Sequence, residues 1–220
     1  SVQLGAGLES TGKLSRASMA RTIQALRICQ QKLKRHKVKH MRLVATEACR
    51  RAGNGAGFMR QITRETGLTL DIIKPEEEAR LAVISCAPLV SKETEQLLVV
   101  DIGGGSTELV WIDLCAVPSQ ERPKAIMRLH AGFHNANNKH AAAKVVDWIS
   151  VPLGVATLRD HFDDVEDDAA RFALMSWYFE EHLSEFAPYK DEQTRAGFQI
   201  VGTSGTVTTV AASHLGLKRY

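Results

Sequence analysis

The sequence predicts an α/β protein, and three observations predict it. Segments with apolar residues at helical spacing alternate with short apolar runs along most of the chain. Two of those runs, Leu97–Ile102 and Phe198–Gly202, lead straight into loops of glycine and hydroxyl residues. Hydrophobic residues make up 44% of the 220 and charged residues 24%, which supplies a real core and excludes a disordered or collagen-like chain.

The elements follow in order. Ser15 is placed to cap a helix in which Met19, Ile23, Leu26 and Leu33 recur on one face, fading near His36. His40–Thr46 reads as a short buried strand, and a helix from about Asn54 to Glu65 stops at Gly67. Leu68–Ile73 reads as another strand. Pro75, followed by three acids, starts a helix that continues to about Ala87, since proline suits the first turn and carboxylates suit the positive end of the dipole. Leu97–Ile102 and Ser106–Ile112 pair as a hairpin across Gly103-Gly104-Gly105. Residues 117–143 show little pattern and read as a loop or insertion. Asp147–Val151 is a further strand. Residues 167–186 form a helix whose Phe172, Met175, Trp177, Phe179 and Leu183 are expected in the core. Phe198–Gly202 is the last strand, with a final helix after it.

Composition bounds the partners. No apolar run approaches the roughly 18–20 residues of a membrane helix. Cys29, Cys49, Cys86 and Cys115 form no CxxC pair, so a reducing cytoplasm is expected. The net charge of +3 hides an asymmetry: residues 1–60 carry +11 and the rest −8. Either an anionic partner meets the first third, or a basic helix face is simply solvated.

The central chemical signal is Asp101-Ile102-Gly103-Gly104-Gly105-Ser106-Thr107-Glu108. It is neither a P-loop nor a dinucleotide fingerprint. Three glycines let a backbone come close to an anion and adopt positive φ, while Ser106 and Thr107 add hydroxyl donors. Asp101, at a strand end, can hold a hydrated divalent cation, and Glu108 can orient water or metal. Gly202-Thr203-Ser204-Gly205-Thr206 is a second anion site, because amides at a helix N-terminus are unpaired. His130, His134 and His140 lack a partner acid or cysteine at ligand spacing, so zinc is not expected there. Cys49 beside Arg50 reads as a small buried hydrophobe rather than a nucleophile.

Asp101–Glu108, Thr203–Thr206, Thr46–Asn54 and Glu76-Glu77-Glu78-Ala79-Arg80 together resemble the exopolyphosphatase/guanosine pentaphosphate phosphatase family, from Val2 nearly to the C-terminus. The resemblance implies an actin-like ATPase (ribonuclease H-like) fold of two lobes. It divides the chain into a first lobe, residues 1–116, an insertion or loop, 117–146, and the start of a second lobe, 147–220. The loops at Asp101–Glu108 and Thr203–Thr206 are then expected to face each other across a cleft. Family members open with an Asp-x-Gly-Ser-Asn-Ser loop that is not found here, so an interior portion of a longer protein is expected.

The resemblance also implies roles. Glu78 matches the base that activates water. Asp101 and Glu108 match catalytic acids associated with Mg²⁺. Arg50, Asn54, Gly103, Gly104, Gly105, Ser106, Thr107, Thr203, Ser204, Gly205 and Thr206 match phosphate-binding positions. The implied activity is Mg²⁺-dependent hydrolysis of the terminal phosphoanhydride of inorganic polyphosphate. The alternatives are guanosine pentaphosphate hydrolysis, a kinase of the wider superfamily, or a non-catalytic nucleotide or phosphate sensor. The partner is thus polyphosphate or guanosine pentaphosphate, with no membrane and no specific nucleic-acid binding, and a homodimer is left open.

Overall fold

A computed structural model describes residues 2–131, 133, 143–186 and 197–217. His134 and His140 are among the ten residues of the 117–146 segment that lie outside them. The chain divides into two compact units, Ser1–Lys74 with Ala156–Asp163, and Pro75–Val155 with Asp164–Tyr220. The division falls at Lys74/Pro75 and not inside residues 117–146. The reason is sheet pairing: residues 144–151 form a strand against residues 107–113.

The first unit begins with α1 (Leu8–Thr11) and α2 (Arg16–Arg35). Ser15 caps α2 by accepting a hydrogen bond from the Ser18 N–H at 3.1 Å, as its residue type dictates. The strand expected over 40–46 is reduced to β1 (Val44–Ala45). It is followed at once by a helix the periodicity did not reveal, α3 (Glu47–Arg51). Five residues are too few for a 3.6-residue period to show. Next come α4 (Gly55–Thr66), ended by Gly67 in the left-handed conformation, and β2 (Asp71–Ile72), which pairs in parallel with β1. Phe58, Ile62, Ile23 and Leu14 are buried together as this unit's core. Asn54 ties its start to its middle. The side-chain oxygen accepts from the Leu14 N–H at 2.8 Å, and the amide nitrogen donates to the Leu14 carbonyl at 3.0 Å.

The second unit is built on one sheet. After α5 (Pro75–Cys86), β3 (Gln96–Ile102) and β4 (Thr107–Asp113) form the expected antiparallel hairpin. A short helix, α6 (Arg122–Met127), interrupts the stretch read as a loop. β5 (Lys144–Val151) pairs antiparallel with β4, and α7 (Val155–His161) follows, its residues from Ala156 onward grouping with the first unit. Then come α8 (Asp168–Leu183), β6 (Phe198–Thr203) and α9 (Ser204–His214). β6 pairs in parallel with β3, so the strand order is β5-β4-β3-β6. Leu97, Val99, Val110, Ile112 and Val201 project from one face, where Ala79, Val83 and Cys86 of α5 cover them. The α8 residues expected in the core are not there: Phe172 is 73% and Trp177 60% exposed. No helix of the described residues is long and apolar enough to cross a membrane.

Replacing Asn54 by Ala strands the Leu14 N–H and carbonyl that its amide satisfies. The unfolding free energy of Asn54→Ala, read from a urea titration, is expected to fall by about 2 kcal/mol. Asn54→Asp, which keeps the acceptor for the Leu14 N–H, should lose less.

Candidate active site

Strand alternation places the acids. On β3, Leu97 and Val99 point into the core, and the next residue on that face is Asp101; on β4, Ile112 and Val110 point the same way, and the next is Glu108. The registers align these ends: Asp101 lies opposite Glu108, Glu108 opposite Ser150 of β5, and Asp101 opposite Thr203 of β6. Ser150, Glu108, Asp101 and Thr203 thus form one row across four strands, where opposed residues lie within side-chain reach. The two glycine-hydroxyl loops accordingly sit side by side at neighbouring strand ends of one sheet. They do not face each other from separate lobes as expected, because β3 and β6 are direct partners.

The row is acidic at its centre, with Glu108 buried and Asp101, Ser150 and Thr203 half-buried. Glu108 accepts a hydrogen bond from the Ser150 hydroxyl at 2.8 Å. Burial, then the nearby charges of Glu78 and Asp101, lift its carboxyl to about 7, against the lowering effect of Ser106 and Ser150 hydroxyls. Asp101 is likewise raised by burial, opposed by the Ser204 hydroxyl. Its Oδ1 is buried with no hydrogen-bond partner, the only such side-chain atom among the described residues. An orphaned carboxylate oxygen beside a second buried acid fits a divalent cation held by one or two carboxylates with water and substrate oxygens filling the rest. Among the described residues no group of three or more His, Cys, Asp or Glu stands ready as a complete metal cage.

Helix α5 sorts its three leading acids. Glu77 holds Arg80 through two contacts of 2.6 Å, which raises the guanidinium's pKa. Glu76 also acts on Arg80, whereas Glu78 is the one whose charge is felt by Glu108. Sequence position alone does not separate them; one turn of helix does.

The loops differ from expectation in detail. None of Gly103, Gly104 and Gly105 has a positive φ. Ser106 and Thr107 are buried and turned inward: the Ser106 hydroxyl bonds Glu108, and the Thr107 hydroxyl donates to the Leu153 carbonyl at 2.8 Å. Their hydroxyls brace the loop instead of donating to phosphate. Outward, a Cβ on Gly104 would meet nothing within 4 Å, so the backbone is open to close approach there. The loop's other side rests on Gly154, a residue missed in the sequence. A Cβ there would lie 2.4 Å from the Gly104 carbonyl carbon and 2.5 Å from the Gly105 nitrogen, and the Val155 N–H donates to the Gly103 carbonyl at 3.2 Å. A lone glycine shortly after a strand, following Pro152 and Leu153, was the available signal. At the second loop, Thr203 stands at the N-cap position of α9 without a side-chain capping bond, and Ser204 takes φ +76°, a strained conformation for a residue with a Cβ. The first-turn amides of α9 therefore begin at the Asp101 row.

Arg50 and Asn54 lie in the first unit. Arg50 donates to Glu47 Oε2 at 2.7 and 3.2 Å and to the Ile73 carbonyl at 2.5 Å, and both polar atoms of Asn54 serve Leu14. Cys49 is buried, which pushes its thiol up to about 11 and removes it as a nucleophile at neutral pH.

Comparison with known proteins decides the family. The model of the Ppx/GppA phosphatase family matches residues 1–218. The chain belongs to the Ppx/GppA phosphatase family. It is 31% identical over 206 residues to the guanosine-5'-triphosphate,3'-diphosphate pyrophosphatase of Aeromonas salmonicida, covering 94% of this chain and 36% of that one. It superposes in full on 60% of the Aquifex aeolicus Ppx/GppA family member (30% identity, TM-score 0.63). It also superposes in full on 62% of an exopolyphosphatase from Cytophaga hutchinsonii (26% identity, TM-score 0.74). The chain thus spans about a third of the curated relative's length. The fold is shared with these solved members of the Ppx/GppA family.

Within this Ppx/GppA chain, the raised Glu108 carboxyl makes stability pH-dependent. Its folded value, about 7, exceeds the ordinary 4.5, so its contribution is full below about pH 4.5 and is lost as pH rises through 7. In chelator-treated protein, Glu108→Gln should flatten that decline and be more stable than wild type at pH 8 by up to about 3 kcal/mol. Chemical denaturation at pH 5 and pH 8 measures both. For the glycines, Gly154→Ala should cost about 1–3 kcal/mol through displaced backbone, while Gly104→Ala leaves stability near wild type.

Proposed function

We propose that the protein hydrolyses the terminal phosphoanhydride of inorganic polyphosphate, releasing orthophosphate. The observation that carries this reading is the pairing of Asp101 with the buried Glu108, whose carboxyl feels the charge of Glu78 from α5, beside two glycine-hydroxyl loops at the same sheet end. Long arrays of phosphates need amides and cation charge around the reacting group and a carboxylate for the attacking water, and these parts supply them.

In this reading the open backbone at Gly104 and the first-turn amides of α9 receive the terminal phosphoryl oxygens. Asp101, with Glu108 beside it, would hold Mg²⁺, and the ion would supply positive charge against the phosphoryl group. Glu78 orients the attacking water and accepts its proton as the oxygen bonds to phosphorus. The bridging P–O bond breaks and the shortened chain leaves as an anion. Ser150 and Ser106 hold the Glu108 carboxylate in place, Ser204 lies against Asp101, and Gly154 keeps the glycine loop at its height. No side chain has to be phosphorylated.

Guanosine pentaphosphate is the second reading, favoured by the name of the Aeromonas relative, and it uses the same chemistry on a smaller substrate. Phosphate release from long-chain polyphosphate, guanosine pentaphosphate and ATP by the full-length protein with Mg²⁺ separates them. Release from neither of the first two, with binding intact, would make the protein a sensor. Consumption of ATP alone with a phosphorylated acceptor would make it a kinase. Glu78→Gln should lower turnover by about 10²–10⁴-fold while leaving substrate binding near wild type. Unchanged turnover would remove Glu78 from the mechanism.

A further inference from the structure

Helix α3 takes no part in the proposed chemistry, yet it carries a charged pair in an apolar setting. Glu47 is 8% exposed, and its neighbours Ala45 and Cys49 belong to the first unit's core. The Arg50 Nε and Nη2 donate to Glu47 Oε2 at 3.2 and 2.7 Å, a pair three residues apart on one helix face. A carboxylate taken out of water stays ionised only where a cation and hydrogen bonds meet it, so the pair is bound to persist. Arg51 adds a longer contact to Glu47 Oε1 at 3.7 Å, and its short pair is with Glu9.

The pair does not close on itself. The Arg50 Nη1 donates to the Ile73 carbonyl at 2.5 Å, so the guanidinium fork ties α3 to the residue just after β2. Ile73 is buried, and its N–H donates to the Ala45 carbonyl at 3.0 Å. Both backbone polar groups of Ile73 are thus fixed within the first unit, one by β1 and one by α3. Lys74 is the last residue of that unit, and Pro75 opens α5 in the second. Proline locks its own φ and keeps the residue before it extended, which makes Lys74–Pro75 a short, stiff link. The first turn of α5 carries Glu76, Glu77 and Glu78. The leading N–H groups of a helix have no partners inside it, so what precedes the turn helps to hold it.

We propose that the Glu47–Arg50 pair is a positioning clasp for Glu78: it fixes the Ile73 end of the link from which the leading turn of α5 starts. This rests on the hydrolase reading for what Glu78 does, and on hydrogen bonds of the first unit for the clasp itself. Arg50 thereby acquires a task other than the phosphate contact the family resemblance implied. One group here has to meet a carboxylate and a carbonyl in a set direction. A planar fork does this, whereas a lysine ammonium on a flexible stem fixes no direction. Glu77 steadies the same turn from its far side through Arg80.

The test compares full-length wild type with Arg50→Lys, Glu47→Ala and Glu47→Gln. Its readouts are amide hydrogen exchange by mass spectrometry and steady-state hydrolysis of polyphosphate with Mg²⁺. Arg50→Lys and Glu47→Ala should quicken exchange over residues 73–82 about tenfold and leave β3 and β4 at the wild-type rate. Glu47→Gln, which keeps an oxygen to accept from Arg50, should stay near wild type in both readouts. Arg50→Lys should lower kcat about 10–10²-fold with KM within about twofold, because a misplaced carboxylate leaves the substrate's own contacts intact. Arg50→Lys also keeps a cation opposite Glu47, so it decides the matter if Glu47→Ala fails to fold. A raised KM with exchange over 73–82 unchanged would overturn the proposal and return Arg50 to the substrate. Quickened exchange with wild-type kcat would overturn it too, as would exchange that quickens equally in β3 and β4. Because exchange needs no turnover, the local change in a protein that releases no phosphate would count against the hydrolase reading alone.

Discussion

The register of the second unit's sheet is the constraint on which the site depends. Asp101, Glu108, Ser150 and Thr203 come from four strands, yet each faces its neighbour at one level because the hydrogen-bonded ladders fix the pairing. Side chains alternate with period two, so a slip of one residue on β3 would turn Asp101 out of the core face and bring Val100 or Ile102 in. The core prevents that slip. Leu97, Val99, Val110, Ile112 and Val201 are buried on the same face and would be exposed by it. Apolar packing that has nothing to do with chemistry thus holds two acids in place.

Those acids are expensive where they stand. Removing a carboxylate from water favours its neutral form, and the raised pKa of Glu108 and Asp101 is that cost made visible. Neighbouring groups offset it only in part. Ser150, Ser106 and Ser204 supply hydroxyls, but none reaches Asp101 Oδ1, and no Lys or Arg pairs with either acid among the described residues. A site built for stability would have closed that gap with a cation of its own, as Arg80 does for Glu77. Leaving it open keeps charge available for something outside the chain. Strain at Ser204 belongs to the same pattern, since a left-handed serine persists only where its surroundings hold it.

Much of this was legible in the sequence, and the failures have physical causes. Ser15, Pro75 and Gly67 mark helix ends through local bonding that depends on residue type alone, and they mark them correctly. The hairpin across Gly103–Gly105 follows from an apolar run before the glycines and alternation after them. What sequence position does not carry is depth. Ser106 and Thr107 look like phosphate donors because they follow glycines, but whether a hydroxyl points outward depends on what packs behind it, here Glu108 and Leu153. Gly154 is 50 residues from the loop it supports and shares no pattern with it. Trp177 reads as core from its neighbours, yet apolar spacing says only that a face exists and not that the described residues cover it. The division of the compact units at Lys74/Pro75 was not legible either, because the β4–β5 pairing that crosses residues 117–146 is a long-range fact.

The charge asymmetry of the sequence divides into two parts once the structure is known. Some of the positive charge in residues 1–60 is architectural: Arg27, Arg50 and Arg51 are bound to Glu65, Glu47 and Glu9, and Arg50 also holds the Ile73 carbonyl. Arginine suits this task, since its planar fork fixes direction as well as charge. Much of the remainder is concentrated around the end of α2, where Lys32, Lys34, Arg35, Lys37, Lys39 and Arg42 are exposed. Arginines that hold elements together are therefore separated by position from the exposed lysines and arginines around the end of α2. A net charge counted along the chain adds the two together, and the second kind is the better placed to act on a distant anion.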